Sequence, residues 1–264
     1  MADEDIVLLD TTREGVAVVT LNRPEVHNAF NAEVIEALSD MFADLAKQDG
    51  VRVVLIEGAG KSFSAGADLT WMKAAADYTE DENYEDALAA AEMFHLLRSM
   101  PQPTIAMVHG AALGGGMGLV AAADIAIAVD GAQFGLTEVK LGLVPGVISP
   151  YVIEAVGPRM ARRFYVTGEK FGADEARRLG LVHEVVKDKG ALAAAVEKIV
   201  SAILECSPDA VARAKQLLNA CMHDFPNHDM RAATARFIAE ARASGEGKEG
   251  IAAFFAKRKP KWAQ

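Results

Sequence analysis

Two glycine-rich segments could present bare backbone N–H groups to a negatively charged ligand oxygen. Residues 62–69 read SFSAGADL and residues 112–118 read ALGGGMG, and each follows a predicted strand. Glycine lacks a side chain, so an oxygen atom can approach the amides closely, and a helix that begins at the second segment adds its dipole. Facing each other, the segments could form an oxyanion hole. Each one alone could equally be a tight turn in a crowded core.

Neither of the nucleotide-binding motifs that these glycines suggest is complete. The sequence GAGKS at residues 58–62 would need a further glycine at position 55, which is Leu55, to form a phosphate-binding loop. A dinucleotide-binding pattern that starts at Gly114 would need glycine in place of Leu119,. Both nucleotide-binding classes are therefore excluded.

Apolar runs predict strands around these segments, and helical spacing of apolar residues predicts helices between the strands. The runs occupy residues 6–10, 15–22, 51–58, 104–110 and 124–129. The first helix covers residues 31–48 with Asn31 as its N-cap, and the second passes through residues 87–97,. A short alanine-rich helix follows the second glycine segment. This alternation predicts an α/β fold with right-handed crossovers.

The C-terminal part of the sequence is predicted to be entirely helical from about Asp188. One of its helices opens with Ser207 as N-cap and Pro208 at the first helical position,. No linker rich in proline, glycine or serine separates this part from the rest, and no internal repeat occurs,.

The composition indicates one large hydrophobic core, with room for a smaller appendage. The chain has 264 residues, of which 51% are apolar,. Its formal net charge of −10 would repel a phosphate backbone, so nucleic acid is not expected as a partner. The N-terminus is acidic and no uncharged apolar run of about 18 residues occurs,. We therefore expect a cytoplasmic protein without a membrane segment.

Neither the cysteines nor the histidines have the spacing of a metal site. Cys206 and Cys221 fall in a helix-like segment, which predicts reduced, buried thiols rather than a disulfide framework. The six histidines show no H-E-x-x-H or other ligand spacing,. We therefore expect no bound metal.

Six motifs occur in order along the chain: LNRPEVHNAFN, FSAGADL, HGAALGGGMGL, DIAIAVDGAQFGLTEVKLGLVPG, ARRFYVTGEKFGADEARRLGLVHEVV and EGIAAFFAKRKP. With these motifs the sequence resembles the enoyl-CoA hydratase/isomerase (crotonase) family over essentially its whole length, and is closest in pattern to bacterial methylglutaconyl-CoA hydratase-like members. The resemblance implies a spiral of ββα units in two near-perpendicular sheets over residues 1–200. It also implies a C-terminal helical region, residues 201–264, that builds homotrimers or dimers of trimers.

The resemblance also implies a set of site residues. The backbone N–H groups of Ala67 and Gly115 would grip a thioester carbonyl as an oxyanion hole, and Glu138 would be the catalytic carboxylate. Gly118 stands where family hydratases of the best-known type carry a second glutamate. Gly146 would offer an N–H near the reacting water, although the family's usual PGAGGTQ is PGVISPY here.

The substrate that the resemblance implies is an acyl-CoA, so coenzyme A is part of the substrate and no separate cofactor is expected. The residues implied around coenzyme A are Val26, Ala65, Asp68 and Leu69, with Phe254 and Lys257 reaching in from a neighbouring subunit. Arg23 and Lys61 are weaker candidates for phosphate contacts. Ser149 and Tyr151 could position water or a substrate carboxylate, or could be a helix cap and a core aromatic residue.

Hydration and double-bond isomerisation of such thioesters both pass through an enolate-like state that an oxyanion hole stabilises. A single glutamate is the arrangement of family isomerases, but the sequence after Glu138 resembles hydratases. Syn hydration of a 2-enoyl-CoA is therefore the expected activity, with Δ3-Δ2 isomerisation as the alternative. A catalytically silent acyl-CoA-binding paralogue is a second alternative. Gly118→Glu is expected to restore the second acid and to raise hydration of a small substrate such as crotonyl-CoA, provided that the start of the helix tolerates the side chain.

Overall fold

The computed structural model of the chain describes residues 5–75, 77–224 and 245–263. In these residues, strands form two sheets. The strands are β1 (Val7–Asp10), β2 (Gly15–Leu21), β3 (Val51–Gly58), β4 (Thr104–Val108), β5 (Ala111–Leu113), β6 (Ile125–Val129), β7 (Gln133–Gly135), β8 (Lys170–Gly172) and β9 (Glu184–Val186). The larger sheet has the order β1-β2-β3-β4-β6-β9 and the smaller one β5-β7-β8.

Helices connect and cover these strands. They are α1 (Ala32–Leu45), α2 (Leu69–Ala75), α3 (Glu80–Ser99), α4 (Gly115–Ala122), α5 (Ser149–Val156), α6 (Pro158–Thr167), α7 (Ala173–Leu179), α8 (Lys189–Leu204), α9 (Pro208–Asp224) and α10 (Gly245–Phe255). Short 3₁₀ helices occupy Pro24–Val26, Glu138–Leu141 and Lys261–Ala263.

Two predicted helix starts are confirmed by their capping hydrogen bonds. The N–H of Val34 donates to the Asn31 side chain at 3.0 Å, and the N–H of Ala210 donates to the Ser207 hydroxyl at 3.1 Å. Such bonds satisfy backbone donors in the first turn, which have no acceptor within the helix. Helix α8 likewise begins directly after Asp188.

The larger sheet is buried on both faces, as the α/β prediction requires. Strand β1 is antiparallel to β2, and the remaining neighbours are parallel. Along β3, Val54 and Ile56 belong to the main core cluster, which includes residues of α1, α3 and α4. Val53 and Leu55 belong to a second cluster with residues of α8. Helices therefore cover each face of this sheet, which is typical of parallel sheets.

The smaller sheet carries the second glycine-rich segment. Strand β5 pairs in parallel with β7, which pairs antiparallel with β8. Because β5 leads directly into α4, the glycines at the start of that helix lie at the edge of the smaller sheet. Ser64, which follows β3, forms an isolated parallel bridge with Ala112 of β5. The two predicted glycine-rich segments therefore meet where the two sheets adjoin.

Helix α9 is attached to the larger sheet by a half-buried ion pair. The ammonium group of Lys215 donates to Asp124 at 2.7 Å and to the carbonyl oxygen of Gln102 at 2.8 Å. Asp124 also accepts hydrogen bonds from the N–H and the hydroxyl of Thr104. This pair holds the start of the C-terminal helical region against the ends of β4 and β6. The division of the chain into residues 1–200 and 201–264 stays a prediction.

The prediction of buried cysteines is wrong. Cys206 is exposed just after α8, and Cys221 is half-buried on α9. Neither cysteine forms a disulfide bond within the described part of the chain. Within the described ranges, no group of three or more histidine, cysteine, aspartate or glutamate side chains is placed to hold a metal ion. In the same ranges, no helix is long and apolar enough to cross a membrane.

Candidate active site

The two glycine-rich segments are held face to face by backbone hydrogen bonds. The N–H of Ser64 donates to Ala111 at 2.9 Å, and the N–H of Leu113 donates back to Ser64 at 3.0 Å. Gly66 has φ +91°, and a Cβ atom there would lie 2.8 Å from the Leu113 carbonyl oxygen. A Cβ atom at Gly116 would overlap the carbonyl oxygen of Ser64. Only glycine allows this approach, because the neighbours that a side chain would meet are backbone atoms.

Two backbone N–H groups remain available in these segments. On either side of Ala67, the N–H of Phe30 donates to Gly66 and the N–H of Asp68 donates to Phe30. The N–H of the exposed Ala67 takes no part in this pairing. Gly115 is the first residue of α4, where an N–H has no acceptor within the helix. No acceptor in the described part of the chain is paired with either N–H. Both are therefore free to bind a ligand oxygen.

Glu138 places a carboxylate directly over the second segment. It is the first residue of its 3₁₀ helix, and its Oε1 atom lies 3.1 Å from the position that a Cβ atom of Gly114 would take. Its Oε2 atom is buried and has no hydrogen-bond partner among the described residues. A buried carboxylate oxygen without a partner is costly and marks a functional group.

The environment of Glu138 favours its protonated form. Burial raises the pKa of its carboxyl group above the ordinary value of 4.5, and a hydrogen bond from its own backbone N–H opposes this only in part. Desolvation disfavours the charged form of an acid. A carboxyl group whose pKa is raised toward the working pH is better suited to both accept and return a proton.

We expect the raised pKa of Glu138 to appear in the pH dependence of stability. The folded chain resists ionisation of this group, so stability that is fully present below pH 4.5 is lost as pH rises through the folded pKa. Glu138→Gln has no such loss. Urea midpoints measured from pH 5 to pH 8 should therefore move in favour of the variant as pH rises. A difference that stays constant over this range would contradict the desolvation of Glu138.

The position of the absent second acid is closed by an apolar side chain. A Cβ atom at Gly118 would overlap Cγ2 of Ile148 and lie 3.0 Å from Cε1 of Phe94. Ile148 is 2% exposed, so it cannot turn into solvent. The expectation that Gly118→Glu raises hydration overlooked this contact, because Ile148 lies 30 residues further along the chain. In the sequence, the replacement of the family's usual PGAGGTQ by PGVISPY was the signal that could have revealed this contact.

Gly146 does not carry a free N–H in this structure. Its N–H donates to the carbonyl oxygen of Val144 at 2.8 Å. Tyr151 packs against the core with its ring 6.1 Å from that of Phe94, which confirms the core-aromatic alternative. Ser149 does not cap α5, since Ile148 is the residue at the N-cap. Its hydroxyl instead donates to the carbonyl oxygen of Pro145 at 2.6 Å.

Of the residues predicted around coenzyme A, Ala65, Asp68 and Leu69 belong to the first glycine segment, and Val26 lies beside it. The N–H of Ala65 donates to His27 at 2.9 Å, which brings Ala65 next to the half-buried Val26. Leu69 opens α2 and is 79% exposed, as a residue that contacts a ligand would be. Lys257 is exposed in a left-handed conformation with φ +52°. The side chain of Phe254 lies outside the described part of the structure.

Asp68 and Arg23 are paired with each other. Their side chains form an ion pair at 2.9 Å, and Asp68 also accepts a hydrogen bond from the N–H of Thr70. Burial alone would raise the pKa of Asp68, but the hydrogen bonds from Thr70 and Arg23 outweigh it and lower that pKa. Arg23 donates further to the carbonyl oxygen of Ala29. The side chains of Asp68 and Arg23 therefore hold the loop in shape. Of the two predicted phosphate contacts, Arg23 and Lys61, only Lys61 is exposed.

Comparison with known proteins connects this geometry to a family. The family model described as enoyl-CoA hydratase/isomerase matches residues 11–264. The chain is 36% identical to the crotonyl-CoA hydratase of Syntrophomonas wolfei, over 98% of each chain, and 35% identical to the short-chain-enoyl-CoA hydratase of Clostridium acetobutylicum, over 94% of each. The crystal structure of an enoyl-CoA hydratase from Shewanella pealeana superposes with a TM-score of 0.94 at 39% identity, covering 98% of this chain and 96% of that one.

Proposed function

Because the chain belongs to the enoyl-CoA hydratase/isomerase family, we propose that it adds water across the double bond of a 2-enoyl-CoA thioester with a single catalytic glutamate. The observation that carries this proposal is the carboxylate of Glu138, whose Oε1 atom lies over Gly114 and whose buried Oε2 atom has no hydrogen-bond partner among the described residues. It lies beside a segment whose first helical N–H, that of Gly115, is free.

The amides of Ala67 and Gly115 would hold the thioester oxygen. Negative charge develops on that oxygen when the β carbon is attacked, and preorganised N–H donors stabilise the resulting enolate by about 3 kcal/mol each. The helix dipole of α4 acts in the same direction at Gly115. This part of the site serves hydration and isomerisation equally.

Glu138 would move both protons of the hydration. Its carboxylate takes a proton from water as the water oxygen bonds to the β carbon and the double-bond electrons shift toward the thioester oxygen. The carboxylic acid then returns that proton to the α carbon on the same face, which restores the thioester carbonyl. Water is thereby added in the syn sense, and Glu138 ends as it began. The raised pKa of Glu138 suits a group that must hold the proton between these steps.

The acyl group is proposed to be short. The names of the two hydratases above, for crotonyl-CoA and short-chain enoyl-CoA, support this class. A branched or methylglutaconyl-type acyl group is the finer proposal, which rests on the sequence pattern alone. Coenzyme A would lie along Val26, Ala65, Asp68 and Leu69, and would be part of the substrate, with no separate cofactor.

The direct test is a hydration assay with a panel of straight, branched and carboxylated 2-enoyl-CoA esters. Hydration removes the conjugated thioester band, so its absorbance should fall when the enzyme is added, and the fastest ester identifies the acyl class. Binding of these esters without any loss of absorbance would instead support a catalytically silent acyl-CoA-binding protein.

Isomerisation of a 3-enoyl-CoA to a 2-enoyl-CoA is the second candidate function. It is favoured by the closed position at Gly118, where Ile148 leaves no space for a second acid. One carboxylate suffices for this reaction, because it takes a proton from one carbon and delivers it to another. In the assay, an isomerase would create the conjugated band from a 3-enoyl-CoA and leave it unchanged in crotonyl-CoA.

A homotrimer or a dimer of trimers is proposed as the assembly, in which Phe254 and Lys257 of one subunit reach the site of another. An apolar residue that α9 leaves exposed, Leu218 at 61%, supports it, since contact with another subunit would cover it. A cytoplasmic location likewise stays a prediction.

A further inference from the structure

A chain of two hydroxyl groups leads from the loop before α5 to helix α6. The Tyr165 hydroxyl is 2.9 Å from Ser149 Oγ, and Ser149 Oγ is 2.6 Å from the carbonyl oxygen of Pro145. A carbonyl oxygen only accepts, and serine has a single hydroxyl hydrogen. Ser149 therefore donates to Pro145 and Tyr165 donates to Ser149. The phenolic oxygen of Tyr165 keeps its own lone pairs for a hydrogen bond from another donor.

Tyr165 lies on a helix that packs against the 3₁₀ helix of Glu138. The end of α6 packs on the 3₁₀ helix that Glu138 opens, since a Cβ atom at Gly168 would lie 3.0 Å from Cγ2 of Val139. Both Tyr165 and Glu138 are half-buried. Burial raises the pKa of the Tyr165 phenol, the Ser149 hydrogen bond lowers it, and the negative charge of Glu138 raises it further. The phenol is therefore protonated at neutral pH, and the helix that carries it packs against the 3₁₀ helix that carries Glu138.

A reacting water in this site needs two acceptors to be oriented. One of its hydrogens would point to Glu138, whose buried Oε2 atom has no partner among the described residues. Position 118 offers no polar side chain for the other hydrogen, because Gly118 is covered by Ile148 and Phe94. With both hydrogens bonded, a lone pair of the water would be directed toward the β carbon.

We propose that the phenolic oxygen of Tyr165 accepts the second hydrogen bond of the reacting water and so orients it for attack, in the place where this chain has no second acid. The hydrogen bond from Tyr165 to Ser149, and that from Ser149 to Pro145, set the direction in which this oxygen can accept. The inference rests on the hydratase function proposed above and adds a water-binding residue to it.

Tyr165→Phe tests the inference, because it removes the oxygen and keeps the ring. We expect its kcat for hydration of crotonyl-CoA to fall about tenfold, the usual share of one hydrogen bond to a reacting group. Exchange of the α hydrogens of butyryl-CoA in D₂O uses Glu138 and the two amides but adds no water, and should change less than about twofold. The Kd of butyryl-CoA should also stay the same. Tyr84→Phe, at an exposed tyrosine of α3, is the matched control.

Ser149→Ala is the second variant. It removes the acceptor of the Tyr165 hydroxyl, so the phenol can turn its hydrogen into the site, and hydration should again fall more than exchange. Hydration of Tyr165→Phe above half the wild-type rate would overturn the inference. An equal fall in hydration and exchange would show that Tyr165 only supports the loop, and would overturn it as well. Failure of the underlying function is distinct, because hydration would then be absent from the wild type or would survive Glu138→Gln.

Discussion

Replacing Glu138 with glutamine is expected to lower turnover by about 10² to 10⁴, the usual contribution of general acid–base catalysis. Glutamine keeps the shape of the side chain and removes its ability to accept a proton. Glu138 is the one carboxylate over the glycine segment around Gly114 in the described residues, and position 118 has no acid to replace it. The loss should therefore affect hydration and isomerisation alike.

The measurement is kcat for hydration beside a calorimetric Kd for butyryl-CoA, on variants shown to be folded. The Kd should barely change, since binding energy comes from the amides of Ala67 and Gly115 and from the contacts with coenzyme A. Glu36→Gln, at an exposed glutamate of α1, is the matched control and should behave as wild type. If Glu138→Gln keeps more than about a tenth of the wild-type activity, the loss is smaller than the smallest effect expected for a general base. The proton carrier would then be another residue.

Gly118→Glu is expected to destabilise the protein by about 3 kcal/mol or more, and to abolish activity rather than raise it. A Cβ atom at this position already overlaps Ile148, and the remaining atoms of the side chain would bring a carboxylate among buried apolar groups. Overpacking and desolvation of a charge add to each other. The sequence alone led to the opposite expectation, a gain in hydration. That gain would require free space beside Gly118 for the new side chain, and Ile148 occupies this space.

The test compares Gly118→Glu, Ile148→Ala and the double variant by urea unfolding and by hydration of crotonyl-CoA. Ile148→Ala opens the space beside Gly118, so the double variant should be less destabilised than the sum of the two single changes. Such non-additivity is the signature of residues in contact. A folded Gly118→Glu protein with unchanged or higher hydration would show that Ile148 moves aside easily, which would remove the explanation for a site with a single acid.

Local features of the sequence were sufficient for most of the architecture. The larger sheet follows from apolar runs such as residues 51–58, and the starts of α1 and α9 follow from Asn31 and Ser207, because capping and periodicity involve neighbours in sequence. The short strands β5, β7, β8 and β9 were not predicted. Each has three residues, which is too few for a period to show, and their pairing depends on contacts between distant segments.

The sequence by itself was enough to find the two glycine-rich segments, since these depend on residue types at characteristic spacings. Its resemblance to a known family was enough to indicate that family and to imply Glu138 as the candidate catalytic residue. Only the tertiary structure decided that Ile148 fills the space beside Gly118, that Arg23 and Asp68 neutralise each other, and that the Gly146 N–H is already bonded. It also packed the end of α6, the helix of Tyr165, against the 3₁₀ helix that begins at Glu138. The physical reason is that packing, ion pairing and desolvation act between surfaces that meet only when the chain is folded, and no pattern of neighbouring residues encodes which surfaces those are.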